Sequence, residues 1–77
     1  MSTPETGFNP EILKELVKTK IYFGKYKGRL ICDIPVYYLE WLDKKGMPPG
    51  KTGMLLSTML VIKSNGLDYI IKPLKKR

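Results

Sequence analysis

The stretch Lys20-Ile21-Tyr22-Phe23-Gly24-Lys25-Tyr26-Lys27-Gly28-Arg29-Leu30-Ile31-Cys32, KIYFGKYKGRLIC, decides how the fold is read. Ile21 and Phe23 alternate with Lys20 and Tyr22, and Leu30 and Cys32 alternate with Arg29 and Ile31, the period-two pattern of half-buried strands. Between them, GKYKG carries two glycines that supply the positive φ angles of a tight reversal. The spacing predicts a two-stranded antiparallel β-hairpin with its tip at residues 25 to 28. An isolated hairpin is marginal in water, so its apolar side must pack on helices.

Those helices are readable on both sides. Asn9 is an N-cap, Pro10 suits the first helical position, and Ile12, Leu13, Leu16 and Val17 give a helix over about 10 to 18 one apolar face. After the hairpin, Asp33 caps a helix over about 35 to 45, in which Ile34, Tyr38, Trp41 and Leu42 share a face and Gly46 is the stop. Met47-Pro48-Pro49-Gly50 cannot continue it, because two prolines remove two donors and restrict the residues before them. Thr52 then caps a third helix with Leu55, Leu56, Met59, Leu60 and Ile62, the most apolar element, which stops at Asn65-Gly66. Leu67, Ile70 and Ile71 predict a last short helix closed by Pro73.

The fold class expected is therefore a small α+β domain over residues 9–74: an N-terminal helix, the antiparallel β-hairpin, two helices and a short C-terminal helix. Residues 1–8 are expected to be a flexible N-terminus and residues 75–77 a basic tail. The expected core is Ile12, Leu16, Phe23, Leu30, Ile34, Tyr38, Trp41, Leu42, Leu55, Met59, Ile62 and Ile70.

A chain of 77 residues makes one domain and buries only about 60% of its unfolded surface, so function belongs on the outside. The net charge of +7 is unevenly placed: residues 1–17 sum to −2, 18–29 to +5, 30–71 to zero and 72–77 to +4. Two short basic segments point to an anionic partner, with simple solubility as the competing explanation. No apolar run nears the ~20 residues of a membrane span, and the N-terminus lacks the regions of a signal peptide. A cytoplasmic location is the resulting expectation. The single cysteine precludes an internal disulfide, and the absence of histidine removes histidine-based zinc sites and base chemistry.

No catalytic constellation emerges. Gly50-Lys51-Thr52-Gly53 matches the end of a phosphate-binding loop, but the earlier glycine is missing, Lys45 standing in its place, and a helix and two prolines precede it instead of a strand. Asp33, Glu40, Asp43 and Asp68 are scattered, and Cys32 lies among apolar residues with nothing to activate it, as a small core side chain. Trp41 with Tyr37 and Tyr38 would make an aromatic platform for bases, but Tyr38 and Trp41 fall on the expected core face and are assigned to packing. No enzymatic activity and no cofactor or metal is expected.

What is left is the basic hairpin. Lys18, Lys20, Lys25, Lys27 and Arg29 occur without an acid among them and are interleaved with Tyr22 and Tyr26. Cations with aromatic rings combine phosphate attraction with base stacking, and Lys20, Lys25, Tyr26, Lys27 and Arg29 are the candidate contacts to DNA or RNA backbone. Lysines that merely protect a strand edge from pairing account for the same residues equally well. A protein-interaction module using an exposed helix face or the tail is the alternative function. An anionic-membrane contact through Lys72, Lys75, Lys76 and Arg77 ranks last.

The run FGKYKGRLICDIPVYYLEWLDKKG resembles the motif FGK-aromatic-KG, then aspartate-isoleucine-proline, then tyrosine-leucine and tryptophan-leucine pairs, of the quorum-sensing-regulated virulence factor family of small bacterial proteins. The similarity continues through Pro49-Gly50 to Ile62-Lys63 and Asn65-Gly66-Leu67 to Pro73-Leu74, covering about residues 20 to 74, with Tyr22 in place of a frequent proline. The first half is also similar to the small C-terminal module of exodeoxyribonuclease X-type exonucleases. In those proteins the acidic metal-binding residues belong to a nuclease domain absent from this sequence. The resemblance therefore implies a non-catalytic accessory module touching nucleic acid, with Lys25, Lys27 and Arg29 at the matching positions.

Overall fold

A computed structural model describes residues 9–75. The expected flexible segment 1–8 and two of the three residues of the expected basic tail lie outside the described residues. Helix α1 spans Pro10–Leu16, α2 spans Val36–Lys45 and α3 spans Gly50–Ser64, with one 3-10 turn before α2 at Ile31–Asp33 and two after α3 at Asp68–Ile70 and Lys72–Leu74. α1 starts as its sequence dictates: the Asn9 side-chain oxygen accepts the Glu11 N–H at 2.7 Å, and Pro10 takes the first helical position.

The α+β expectation is overturned in the segment after α1. Among the described residues there is no β-strand and no sheet, and the hairpin is replaced by a loop closed by a single antiparallel bridge between Lys20 and Leu30. At that neck the Ile21 N–H donates to the Arg29 carbonyl and the Ile31 N–H to the Thr19 carbonyl, both at 2.9 Å. One more bond crosses the loop, from the Gly28 N–H to the Ile21 carbonyl at 2.8 Å, and beyond it the loop satisfies its own backbone. The Lys27 N–H donates to the Gly24 carbonyl and the Arg29 N–H to the Tyr26 carbonyl, two successive turns that leave no extended residues for a ladder. Beyond the neck the chain enters a 3-10 turn, which buries Ile31 and Cys32 together, where a strand would have alternated them.

Asp33 does not cap α2. Pro35 holds that position without a side-chain hydrogen bond, and the Asp33 carboxylate accepts the Lys75 ammonium at 2.9 Å. α2 does end at Gly46, whose N–H donates to the Leu42 carbonyl at 2.7 Å. α3 begins at Gly50, two residues before the expected cap Thr52. Its buried Gly53 lies so close to the Pro48 carbonyl that a methyl group there would overlap it, so the turn through the two prolines folds directly back over the first turn of α3. The expected stop is present: the Gly66 N–H reaches Lys63 and the Leu67 N–H reaches Ile62, the paired bonds of a Schellman motif. The expected last helix is instead two 3-10 turns.

α3 is the centre of the core, packed against α1, α2 and the first 3-10 turn. Leu55, Leu56, Met59 and Ile62 from α3 meet Leu13 and Leu16 of α1, Ile21 and Ile31 of the neck, Ile34, and Tyr38, Leu39 and Leu42 of α2, and Cys32 and Ile71 close the cluster. No polar side chain is buried among the described residues. Ile12, Phe23, Leu30 and Ile70 are half-buried around this cluster, and Trp41, expected inside, is 49% exposed. No single described helix is long and apolar enough to cross a membrane.

Candidate functional site

The exposure of Trp41 follows from Leu39. With about 100° between successive helical residues, Ile34, Tyr38, Trp41 and Leu42 would define the inner face. Leu39 is fully buried and rotates that face toward itself, which carries Trp41 to the flank and leaves Tyr37 outward at 57% exposed. Tyr38 stays in the core at 8% and connects the interior to the surface. Its ring stacks on Trp41 with centroids 5.4 Å apart and planes 21° from parallel, and meets the edge of Tyr26 at 4.9 Å.

The loop is fastened onto this aromatic group. The Lys25 N–H donates to the Tyr38 hydroxyl at 3.3 Å, and the Tyr26 and Tyr37 hydroxyls pair with one another. That pairing is the main reason the Tyr26 phenol titrates above its ordinary value; partial burial adds to it and the charge of Arg29 opposes it. Gly24 admits the arrangement, since its φ of +76° suits glycine and a side chain there would overlap the Tyr38 hydroxyl. The Lys25 ammonium lies 5.6 Å from the Tyr26 ring centroid and 5.9 Å from that of Tyr37, and Lys45 lies 5.9 Å from Trp41.

The result is an open groove of about 510 Å3 lined by Gly24, Lys25, Tyr37, Tyr38 and Trp41. Of the residues singled out in the sequence, Lys25 lines it and Tyr26 supports it through Tyr37 and Tyr38. Lys27 and Arg29 stand exposed on the same loop outside the lining, and Lys20 sits at the neck opposite Leu30. Tyr38 and Trp41, both assigned to packing, line it together with Tyr37, which was not; the buried Leu39 one position after Tyr38 was the signal that would have placed Trp41 outside.

The ion pairs among the described residues are Lys51 with Glu15 and Lys75 with Asp33, so Lys25, Lys27, Arg29 and Lys45 have no carboxylate partner there. A second, smaller cleft of about 190 Å3 is lined by Cys32, Asp33, Met59, Lys63, Lys72 and Lys75 among others. Burial and the neighbouring Asp33 charge push the Cys32 thiol up, which disfavours its thiolate. Among the described residues no group of three or more acidic or sulfur ligands is placed to hold a metal.

Comparison with known proteins agrees with the resemblance to the virulence factor family and adds nothing to that with the exonuclease module. The chain is 45% identical over 67 residues to "Uncharacterized protein YpeB" of Escherichia coli strain K12, a match covering 86% of this chain and 93% of that protein. The protein of the same name in Escherichia coli O157:H7 matches to the same extent. No solved structure matches the chain. Residues 9–74 match the family described as "Putative quorum-sensing-regulated virulence factor", which spans the three helices and the basic loop, and the chain belongs to that family.

Proposed function

We propose that the protein is a non-catalytic module that binds nucleic acid through the loop bearing Lys25, Tyr26, Lys27 and Arg29 together with the aromatic groove beside it. The observation that carries this reading is the juxtaposition of Lys25 with Tyr26 and Tyr37 at the rim of a groove floored by Tyr38 and flanked by Trp41. Four cations without carboxylate partners among the described residues supply phosphate attraction, and rings beside them supply surface for bases. Few fixed bidentate groups face outward, so contacts to the backbone outweigh sequence readout. The tail plays a smaller part than its charge suggests, since Lys75 is engaged by Asp33.

The test is titration with labelled oligonucleotides at two salt concentrations. With about four phosphates neutralised, log affinity falls with log salt at a slope of roughly −3 to −4. Lys25→Glu with Lys27→Glu is expected to abolish binding with the melting temperature nearly unchanged, because both side chains are exposed. Absence of binding at low salt would overturn the reading. The apolar lining of the groove favours a protein segment as the second reading, and a peptide ligand in place of an oligonucleotide would establish it.

A further inference from the structure

Resting on that nucleic-acid reading, we infer that the groove selects single strands, taking one unstacked base against Tyr37 and Trp41 above the floor made by Tyr38. Three features of the groove carry this. Tyr37 and Trp41 stand one helical turn apart on α2, both about half exposed, so their rings flank one opening and are not spent on the core. A cation accompanies each ring, Lys25 at 5.9 Å from Tyr37 and Lys45 at 5.9 Å from Trp41, so positive charge stands near both stacking surfaces to attract the phosphates that flank a bound base. The volume of about 510 Å3 falls in the range of clefts that hold small organic groups, larger than one base needs and closed at its base by a buried ring.

The construction is rigid where it has to be. Tyr38 is held by the Lys25 N–H and by contacts with Tyr26 and Trp41, so the floor does not collapse into the opening. A base inside a duplex already stacks on its neighbours, and presenting it to Tyr37 and Trp41 costs its pairing and stacking. A base in a single strand has no pairing to lose and less stacking. Stacking on aromatic rings is tolerant of base identity, so the groove distinguishes strand state and not sequence.

The experiment compares a short oligothymidylate, an abasic chain of the same length and charge, and a duplex, each titrated against the full chain at fixed low salt. Trp41, the single tryptophan, reports directly through its fluorescence. Expected are about 10-fold tighter binding of oligothymidylate than of the abasic chain, quenching of Trp41 by the former alone, and loss of that preference in Trp41→Ala and Tyr37→Ala. Trp41→Phe retains most of it, which separates a lost stacking surface from a damaged fold. Equal binding of the abasic chain, or an unchanged preference in Trp41→Ala, overturns the inference while leaving the polyanion reading intact. Failure of all three ligands to bind overturns both.

Discussion

The backbone N–H of Lys25 and the hydroxyl of Tyr38 meet at 3.3 Å, and this contact ties the basic loop to the aromatic groove. It joins residues thirteen apart in sequence, one in a loop and one on the inner face of α2. The approach is possible because Gly24 offers no side chain where the hydroxyl sits. Loop position, and with it the placing of Lys25 over Tyr37, thus depends on a glycine and a phenol acting together.

Gly24→Ala has two costs, a strained positive φ and overlap with Tyr38, and is expected to destabilise by about 2 kcal/mol or more. Tyr38→Phe removes only the acceptor of the Lys25 N–H and is expected to cost about 1 kcal/mol. The two changes share one contact, so the double variant should lose less than the sum, because loss of the Tyr38 hydroxyl makes room for the new methyl group. Thermal melts of the four proteins measure the coupling; strict additivity would show that the hydroxyl does not fix the loop.

Leu39 and Trp41 offer a contrast of burial on one helix. Leu39 is fully buried and Leu39→Ala is expected to cost about 2–5 kcal/mol, whereas Trp41→Ala, half exposed and stacked on one ring, should cost about 1 kcal/mol. Chemical denaturation of each variant checks the order. A reversed order would place Trp41 in the core and close the groove.

That contrast also locates what the sequence revealed. Capping and stop signals act within a few residues, so Asn9, Pro10, Gly46 and Asn65-Gly66 were legible and the helix ends they predict are present. Asp33 and Thr52 misled because their side chains had competitors or no role at the helix start: Asp33 is taken by Lys75, forty-two residues away, and α3 begins before Thr52. The alternation in KIYFGKYKGRLIC was real as a pattern, but a strand needs a partner of matching length. The loop's own turns and the pull of Tyr26 toward Tyr38 left pairing at one bridge. The basic residues of the site and Tyr26 were visible in the sequence; the exposure of Trp41 was not, since a rotation of α2 set by Leu39 decides which rings face outward.

Cys32 gives a kinetic prediction. Its side chain is 5% exposed and its thiol is pushed up first by burial and then by the adjacent Asp33 charge, with Lys75 opposing. Thiol reagents attack the thiolate, so labelling of the folded protein at neutral pH should be slow and should become fast in denaturant. Rapid labelling of the native protein would mean that the cleft beside Cys32 opens readily.

Glu15 sets an acid-dependent contribution to stability. Its carboxylate accepts the Thr19 hydroxyl at 3.2 Å and faces the Lys51 ammonium at 3.5 Å, linking α1 to α3, and these hold its titration below the ordinary carboxylate value, the hydroxyl contributing most. A group whose titration is lowered by folding binds fewer protons in the folded state. Its stabilisation is therefore complete above the ordinary carboxylate value and is lost as pH falls through the lowered one. Melting temperature followed from about pH 7 to about pH 3 should fall less steeply in Glu15→Gln than in the unaltered protein. Added salt should narrow the difference by screening the exposed Lys51, while the Thr19 contribution persists. Identical acid limbs in the two proteins would show that the contact between α1 and α3 is not made in solution.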